Sequence, residues 1–222
     1  MPTETESANL YRASVMVLSD RPPHSVDVIF FHNRSFGDDS GLQDIAATMI
    51  AARQARIIAV TNNEGQRYDS DIPYEANPGK THYKRTLMEK GVPEEAIVIP
   101  EREAFHVRQE NTVFIEESRA RRWETAAILA QPHQLLRTML GVIQAMNQSG
   151  YLMEVYTAFP NPTSWQEVVY GNQGIEEKPR SEHIDDELKR VIYYQSTGEL
   201  ATFEELFAYL TARDKGSLRL TH

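Results

Sequence analysis

The chain has 222 residues, 41% hydrophobic and 25% charged, the composition of a globular protein long enough for one domain with a full core. A formal charge of −9 leaves no surplus of Lys and Arg for a broad phosphate-backbone footprint, so no nucleic-acid partner is expected. With no cysteine, disulfides, thiolate nucleophiles and Cys-ligated metals are excluded.

The opening MPTETESANLYRAS is acidic and lacks the apolar segment of a secretory signal. No apolar run reaches the roughly 20 residues that span a bilayer. The expectation is a cytoplasmic protein with no membrane partner. Leu10 to Leu18 reads equally as a short helix or a strand. Val26-Asp27-Val28-Ile29-Phe30-Phe31, bounded by Pro22-Pro23 and by Asn33, Ser35 and Gly37, is a near-continuous β-rich run, the pattern of a strand buried on both faces. From Gly41 to Gln54, Leu42, Ile45, Ala46, Met49 and Ile50 recur at helical spacing. Arg56 to Val60 is a second buried strand, left through the loop Thr61-Asn62-Asn63-Glu64-Gly65. Strand, helix and strand together make a βαβ unit with a right-handed crossover.

Gln66 to Gly79 shows little periodicity and is expected as a loop over the carboxyl edge of the sheet. A helix from about Thr81 ends at Glu89-Lys90-Gly91, with Gly91 as a left-handed cap and Pro93 preventing continuation. Ala96 to Pro100 is a third strand. Asn111 is the expected N-cap of a helix that runs to about Arg122. Thr125 to Ala130 follows as the fourth strand, His133 to Asn147 as a helix and Tyr151 to Phe159 as the fifth strand. Gly171 to Pro179 is polar and expected as a surface loop, and helices over about Ile184 to Gln195 and Phe203 to Ala212 close the chain. The alternation predicts a single α/β domain, 1–222, with a core over 26–159, a C-terminal helical extension over 180–214, and a mainly parallel sheet of about five strands covered on both faces.

Several short motifs stand in one order: Gly91-Val92-Pro93, Ile97 and Glu101, Asn111-Thr112, Ser118-Arg119, then Ala130-Gln131-Pro132 with Arg137-Thr138. In that order they resemble the bacterial YdcF/SanA/ElyC-like domain of unknown function. The resemblance extends from about Val26 to Phe159, and Leu188 to Gly198 is similar to the end of the cytoplasmic YdcF branch. It implies a Rossmann-like three-layer α/β/α fold and, for that branch, an S-adenosylmethionine-like ligand. The family's membrane-anchored branches are linked with the cell envelope, and no general reaction is established for it. The chain departs from the family at several turns. His32-Asn33-Arg34 replaces a glycine-rich turn, Thr61-Asn62-Asn63-Glu64-Gly65 replaces a Ser-Gly-Gly-like turn, and Phe114-Ile115 stand where Glu-Asn is common. The acidic residue expected before Gly91-Val92-Pro93 falls on Gly79-Lys80, unless Glu75 supplies it through a longer loop.

Open parallel sheets bind ligands at the carboxyl ends of their strands. That rule selects His32, Asn33, Asn62, Asn63, Glu64, Gly65, Asn111, Thr112, Gln131, Pro132 and Arg137 as candidate ligand-binding residues. Asn111-Thr112 at a helix start would offer free backbone donors to a phosphate or carboxylate, or simply cap the helix. Arg137 could hold an anionic group in two parallel hydrogen bonds. His133, four residues before Arg137 on the expected helix, could exchange a proton near neutral pH or merely be solvated. Glu64 and Glu101 could bind ribose hydroxyls or act as general bases, and solvated strand ends are the bland alternative. His32, His82 and His106 lack a metal-binding spacing, so no metal is predicted. GxGxxG after the first strand, GxxxxGK[ST] and GxSxG are absent, which removes the main support for dinucleotide, P-loop and α/β-hydrolase assignments.

The expectation is therefore a small-molecule binder of a polar ligand, plausibly adenosyl or nucleotide in type, with S-adenosylmethionine or a nucleotide as the cofactor the resemblance suggests. It would act as a hydrolase or transferase if it is an enzyme. The alternative is a catalytically degenerate domain that works through a partner or as a homodimer.

Overall fold

A computed structural model describes residues 4–32, 41–64, 78–160, 164–171 and 176–218. In chain order the elements are α1 (Glu4–Ser19), β1 (Val26–Phe31), α2 (Leu42–Ala51), β2 (Ala55–Val60), α3 (Gly79–Glu89), β3 (Ile97–Val98), α4 (Val107–Arg121), β4 (Thr125–Leu129), α5 (Leu135–Ser149), β5 (Glu154–Ala158), β6 (Val168–Tyr170), β7 (Glu177–Pro179), α6 (His183–Ser196) and α7 (Phe203–Asp214). Five strands form one parallel sheet in the order β3-β2-β1-β4-β5. This is the doubly wound, Rossmann-like arrangement, and its order reverses between β1 and β4.

The period of two along β1 explains the three layers. Val28 and Phe30 face one way and join a core with Phe114 and Ile115 of α4, Met139 and Leu140 of α5, Ala13 and Val17 of α1, and Leu206 and Leu210 of α7. Ile29 and Phe31 face the other way and pack with Leu42 and Ala46 of α2 and with Tyr83 and Leu87 of α3. Both faces of the central strands are apolar because both are covered, which is why the run Val26 to Phe31 shows no polar alternation.

Several boundaries differ from expectation for identifiable reasons. Leu10 to Leu18 belongs to one long helix, α1, whose fully buried residues are only Ala13 and Val17, too sparse a stripe to fix its type. The third strand shrinks to Ile97–Val98: a 3-10 turn over Glu94–Ala96 takes its start, and beyond its end the Pro100 carbonyl is held by the Asn62 side chain. Helix α4 begins four residues before Asn111: His106 is its N-cap, and its ring accepts from Gln109 N. The expected surface loop over Gly171 to Pro179 includes β7, which pairs antiparallel with β6. Of the loop expected over 66–79, residues 66–77 lie outside the described ones, as do Asn33 and Gly65.

The free edge of β5 is closed by side chains. Tyr209 Oη receives Val155 N–H at 2.7 Å and donates to Met153 C=O at 2.9 Å. Arg213 Nη1 donates to Val155 C=O at 2.5 Å. Thr157 Oγ1 lies 2.9 Å from Val17 C=O and 2.8 Å from Asp20 C=O, tying the strand to the end of α1. The backbone groups of Met153 and Val155 that a neighbouring strand would satisfy are thus met by α7, which narrows the open ladder on this edge. Among the described residues no helix is long and apolar enough to cross a membrane.

Candidate functional site

The reversal of strand order puts the ends of β1 and β4 side by side, with α4 and α5 above them. His32 follows β1 directly and is fully buried. Its ring lies 4.2 Å from that of Phe30, which in turn stacks on Phe114 of α4 at 4.0 Å. Nδ1 of His32 is 2.8 Å from Oε2 of Glu110, a buried residue in the first turn of α4. A carboxylate at that distance accepts a hydrogen bond from Nδ1–H and so favours the imidazole form that carries its proton there. The pair joins residues 78 apart in sequence.

Arg137 lies in the first turn of α5 and is buried. Its Nε is 2.5 Å from Glu187 Oε2 and its Nη2 is 3.3 Å from Oε1, so the two-pronged contact expected for a ligand is made by a carboxylate of α6. Arg190 Nη1 adds a third contact to Glu187 Oε1 at 2.7 Å. Burial alone would push the Glu187 carboxyl up. The charge and hydrogen bond of Arg137, with Arg190 and His133 nearby, win and hold it down to about 2. Burial would likewise lower the Arg137 guanidinium, and the Glu187 carboxylate, with Glu110 contributing, raises it instead.

The remaining candidates divide by the strand they follow. Asn62 is a tie between β2 and β3: its Nδ2 donates to Pro100 C=O and Glu101 C=O at 2.9 Å each, and its Oδ1 accepts from Lys80 Nζ at 2.5 Å. Asn63 Nδ2 donates to Ala104 C=O at 3.0 Å. Glu64 receives the hydroxyl of Thr81 at 2.5 Å and caps the start of α3. Glu101 is exposed, with its backbone carbonyl under Asn62. Those four residues brace the rim on its β2–β3 side. Asn111 and Thr112 sit one turn into α4 and not at its N-terminus, so the free backbone donors expected of them are absent. Thr112 Oγ1 turns back to Arg108 C=O. Asn111 is buried between helices, and its Oδ1 has no hydrogen-bond partner among the described residues.

The other side of Asn111 faces Gly141 of α5. A Cβ at Gly141 would fall well inside contact distance of Asn111 Nδ2 and 3.4 Å from Leu200 Cδ2. Gly141→Ala should therefore cost about 1–3 kcal/mol, the range for overpacking, readable as a lowered urea midpoint with an unchanged slope. A midpoint equal to the wild type's would show that the two helices can separate there freely.

Gln131 and Pro132 are buried in the turn after β4, where Gln134 N–H meets Gln131 C=O at 2.9 Å. His133, in that turn and not on α5, is half-buried and lies 6.3 Å from the ring of His183 and 6.5 Å from that of Trp165. His133 and Arg137 thus do not share a helix face. Sequence reasoning missed Glu110, Glu187 and His183. A signal existed for two of them: His183, Glu187 and Val191 recur every four residues along the buried stripe of α6. An acidic residue on such a stripe calls for a buried cation.

No family model, characterised protein or solved structure matches this chain. Among the described residues no three His, Asp or Glu side chains gather as metal ligands. What the switch point offers is an imidazole whose tautomer is set by a buried carboxylate, next to a closed arginine–glutamate network.

Proposed function

We propose that this protein binds a small polar ligand, adenosyl or nucleotide in type, at the carboxyl rim between β1 and β4. The carrying observation is the buried His32–Glu110 pair at the strand-order reversal, a polar contact placed where open parallel sheets bind ligands. The resemblance to the cytoplasmic YdcF-like branch supports an S-adenosylmethionine-like ligand and a cytoplasmic location. In this reading the His32 imidazole is the polar group nearest the bound ligand, and as an acid–base group it would serve a hydrolase or transferase. Glu110 is the positioning residue.

A thermal-shift screen of nucleotides, S-adenosylmethionine and sugar phosphates tests this. A ligand at 100 times its Kd adds about 2.7 kcal/mol, which for a chain of this size raises Tm by roughly 5–10 °C. His32→Gln should lose more than half of that rise. If no compound moves the wild-type Tm, the ligand-binding reading is wrong.

A second reading, a degenerate domain acting through a partner or a homodimer, is favoured by one observation: the guanidinium best suited to an anion is already held by Glu187. Under that reading the screen is silent while the oligomeric state or partner binding responds to changes on the exposed faces of α6 and α7.

A further inference from the structure

We infer that Trp165, beside His133, is the platform on which a planar bicyclic heteroaromatic ring of the ligand stacks. The inference rests on the ligand-binding reading above and adds the side chain that recognises the ligand's ring. The chain has two tryptophans. Trp123 is a core residue at 6% exposure, whereas Trp165 keeps 38% of its surface in solvent.

That exposed indole is on an immobilised backbone. Arg180, 1% exposed, donates through Nη1 to Ser164 C=O at 2.5 Å and to Glu167 Oε2 at 2.8 Å. Ser181 N–H meets the Trp165 carbonyl at 3.0 Å, and Arg180 N–H meets that of Glu167 at 2.9 Å. The turn is clamped from both sides, so little conformational freedom remains to be lost when a ring stacks on it.

The neighbours define one side of the platform. His133 stands edge-on to Trp165, at 65° and 6.5 Å, and lies roughly parallel to His183, at 25° and 6.3 Å. His183 is fixed in turn: its Nε2 is 3.0 Å from Val169 C=O, and a Cβ at Gly171 would come within 3.2 Å of its Cε1, so the Gly171 backbone lies against the imidazole. His133 also acts electrostatically on Glu187, which connects the platform to the ion-pair network at the start of α5. A half-open indole on a held backbone, with the His133 imidazole of the turn after β4 at its edge, suits an aromatic ring and gives a ring-free sugar phosphate nothing to stack on. Base–aromatic stacking of this kind tolerates different bases because every base has a π-face.

The test titrates the protein with adenosine 5′-monophosphate and with ribose 5-phosphate, following tryptophan emission and calorimetric heat. Adenosine monophosphate should quench the emission saturably in wild type and in Trp123→Phe, and ribose 5-phosphate should not. Trp165→Ala should weaken the nucleotide at least tenfold, whereas Trp165→Phe should retain most of the affinity. Equal nucleotide affinity in wild type and Trp165→Ala would overturn the platform and leave the ligand-binding reading intact. Equal affinity for the two compounds, or no binding of the nucleotide, would overturn it as well. The broader reading falls only if the full ligand screen is silent.

Discussion

Replacing Glu187 with alanine is expected to lower the stability by about 3–5 kcal/mol at neutral pH, the range for breaking a buried ion pair from one side. The argument starts from burial. The side chains of Arg137 and Glu187 are 5% and 3% exposed, so removing the carboxylate leaves a guanidinium with neither water nor counter-charge beside Nε. Arg190, which also relies on Glu187, loses its partner at the same step. For a chain of this length the loss corresponds to roughly 6–20 °C in Tm.

The pH dependence has a defined sign. The Glu187 carboxyl titrates at about 2 in the folded chain against an ordinary value of 4.5. A folded-state pKa below the unfolded one contributes stability that is fully present above about pH 4.5 and is lost as pH falls towards 2. The fall from 4.5 to about 2 amounts to about 3 kcal/mol. Urea unfolding of wild type and Glu187→Gln between pH 7 and pH 2.5 checks this: the wild type should lose that component and the variant should lack it throughout. A Glu187→Ala protein within 1 kcal/mol of wild type at pH 7 would show that the pair contributes nothing net.

This contact also shows where reading the sequence stopped. Arg137 is legible as a polar residue near the carboxyl end of a strand because the apolar run Thr125 to Ala130 marks that strand clearly. Its partner is not, because Glu187 is 50 positions away and no local pattern specifies a contact at that separation. His32 and Glu110 repeat the case across 78 positions. The α4 start differs from the sequence pattern because Asn111 is a better cap by composition than His106, while Asn111 packs against α5 at Gly141 and lies between the two helices. The β6–β7 hairpin was invisible since Glu177-Lys178-Pro179 has neither β-propensity nor alternation; its place is fixed by Arg180 and His183, which follow it. The sheet could be read because burial on two faces forces a composition that turns and helices do not share. The site could be located by strand ends, but its pairings depend on tertiary contact alone.

The second large effect is expected at the β5 edge of the sheet, where Arg213→Leu should cost about 3–5 kcal/mol. Arg213 donates to both carboxylate oxygens of Asp20, at 2.8 and 2.9 Å, and to Val155 C=O at 2.5 Å, and its guanidinium lies 4.3 Å over the ring of Tyr156. Burial lowers its pKa and the Asp20 contacts more than reverse that, so the charge stays on the guanidinium. Leucine keeps the packing volume and strands Asp20, whose side chain is 10% exposed. Asp20→Asn in the Arg213→Leu background should therefore recover part of the loss, a non-additivity measurable in a double-mutant cycle. Tyr209→Phe, which leaves Val155 N–H and Met153 C=O without the hydroxyl, should cost about 1–3 kcal/mol on its own. With α7 loosened, β5 exposes an open ladder, so Arg213→Leu should also aggregate faster on heating than Gly141→Ala at matched stability. Because β5 pairs with β4 through Leu129, two residues before Gln131, the same variant should blunt ligand-induced stabilisation at the carboxyl rim. An Arg213→Leu protein that unfolds at the wild-type urea midpoint would show that the β5 edge is held by the apolar contacts of α7 and not by these polar ones.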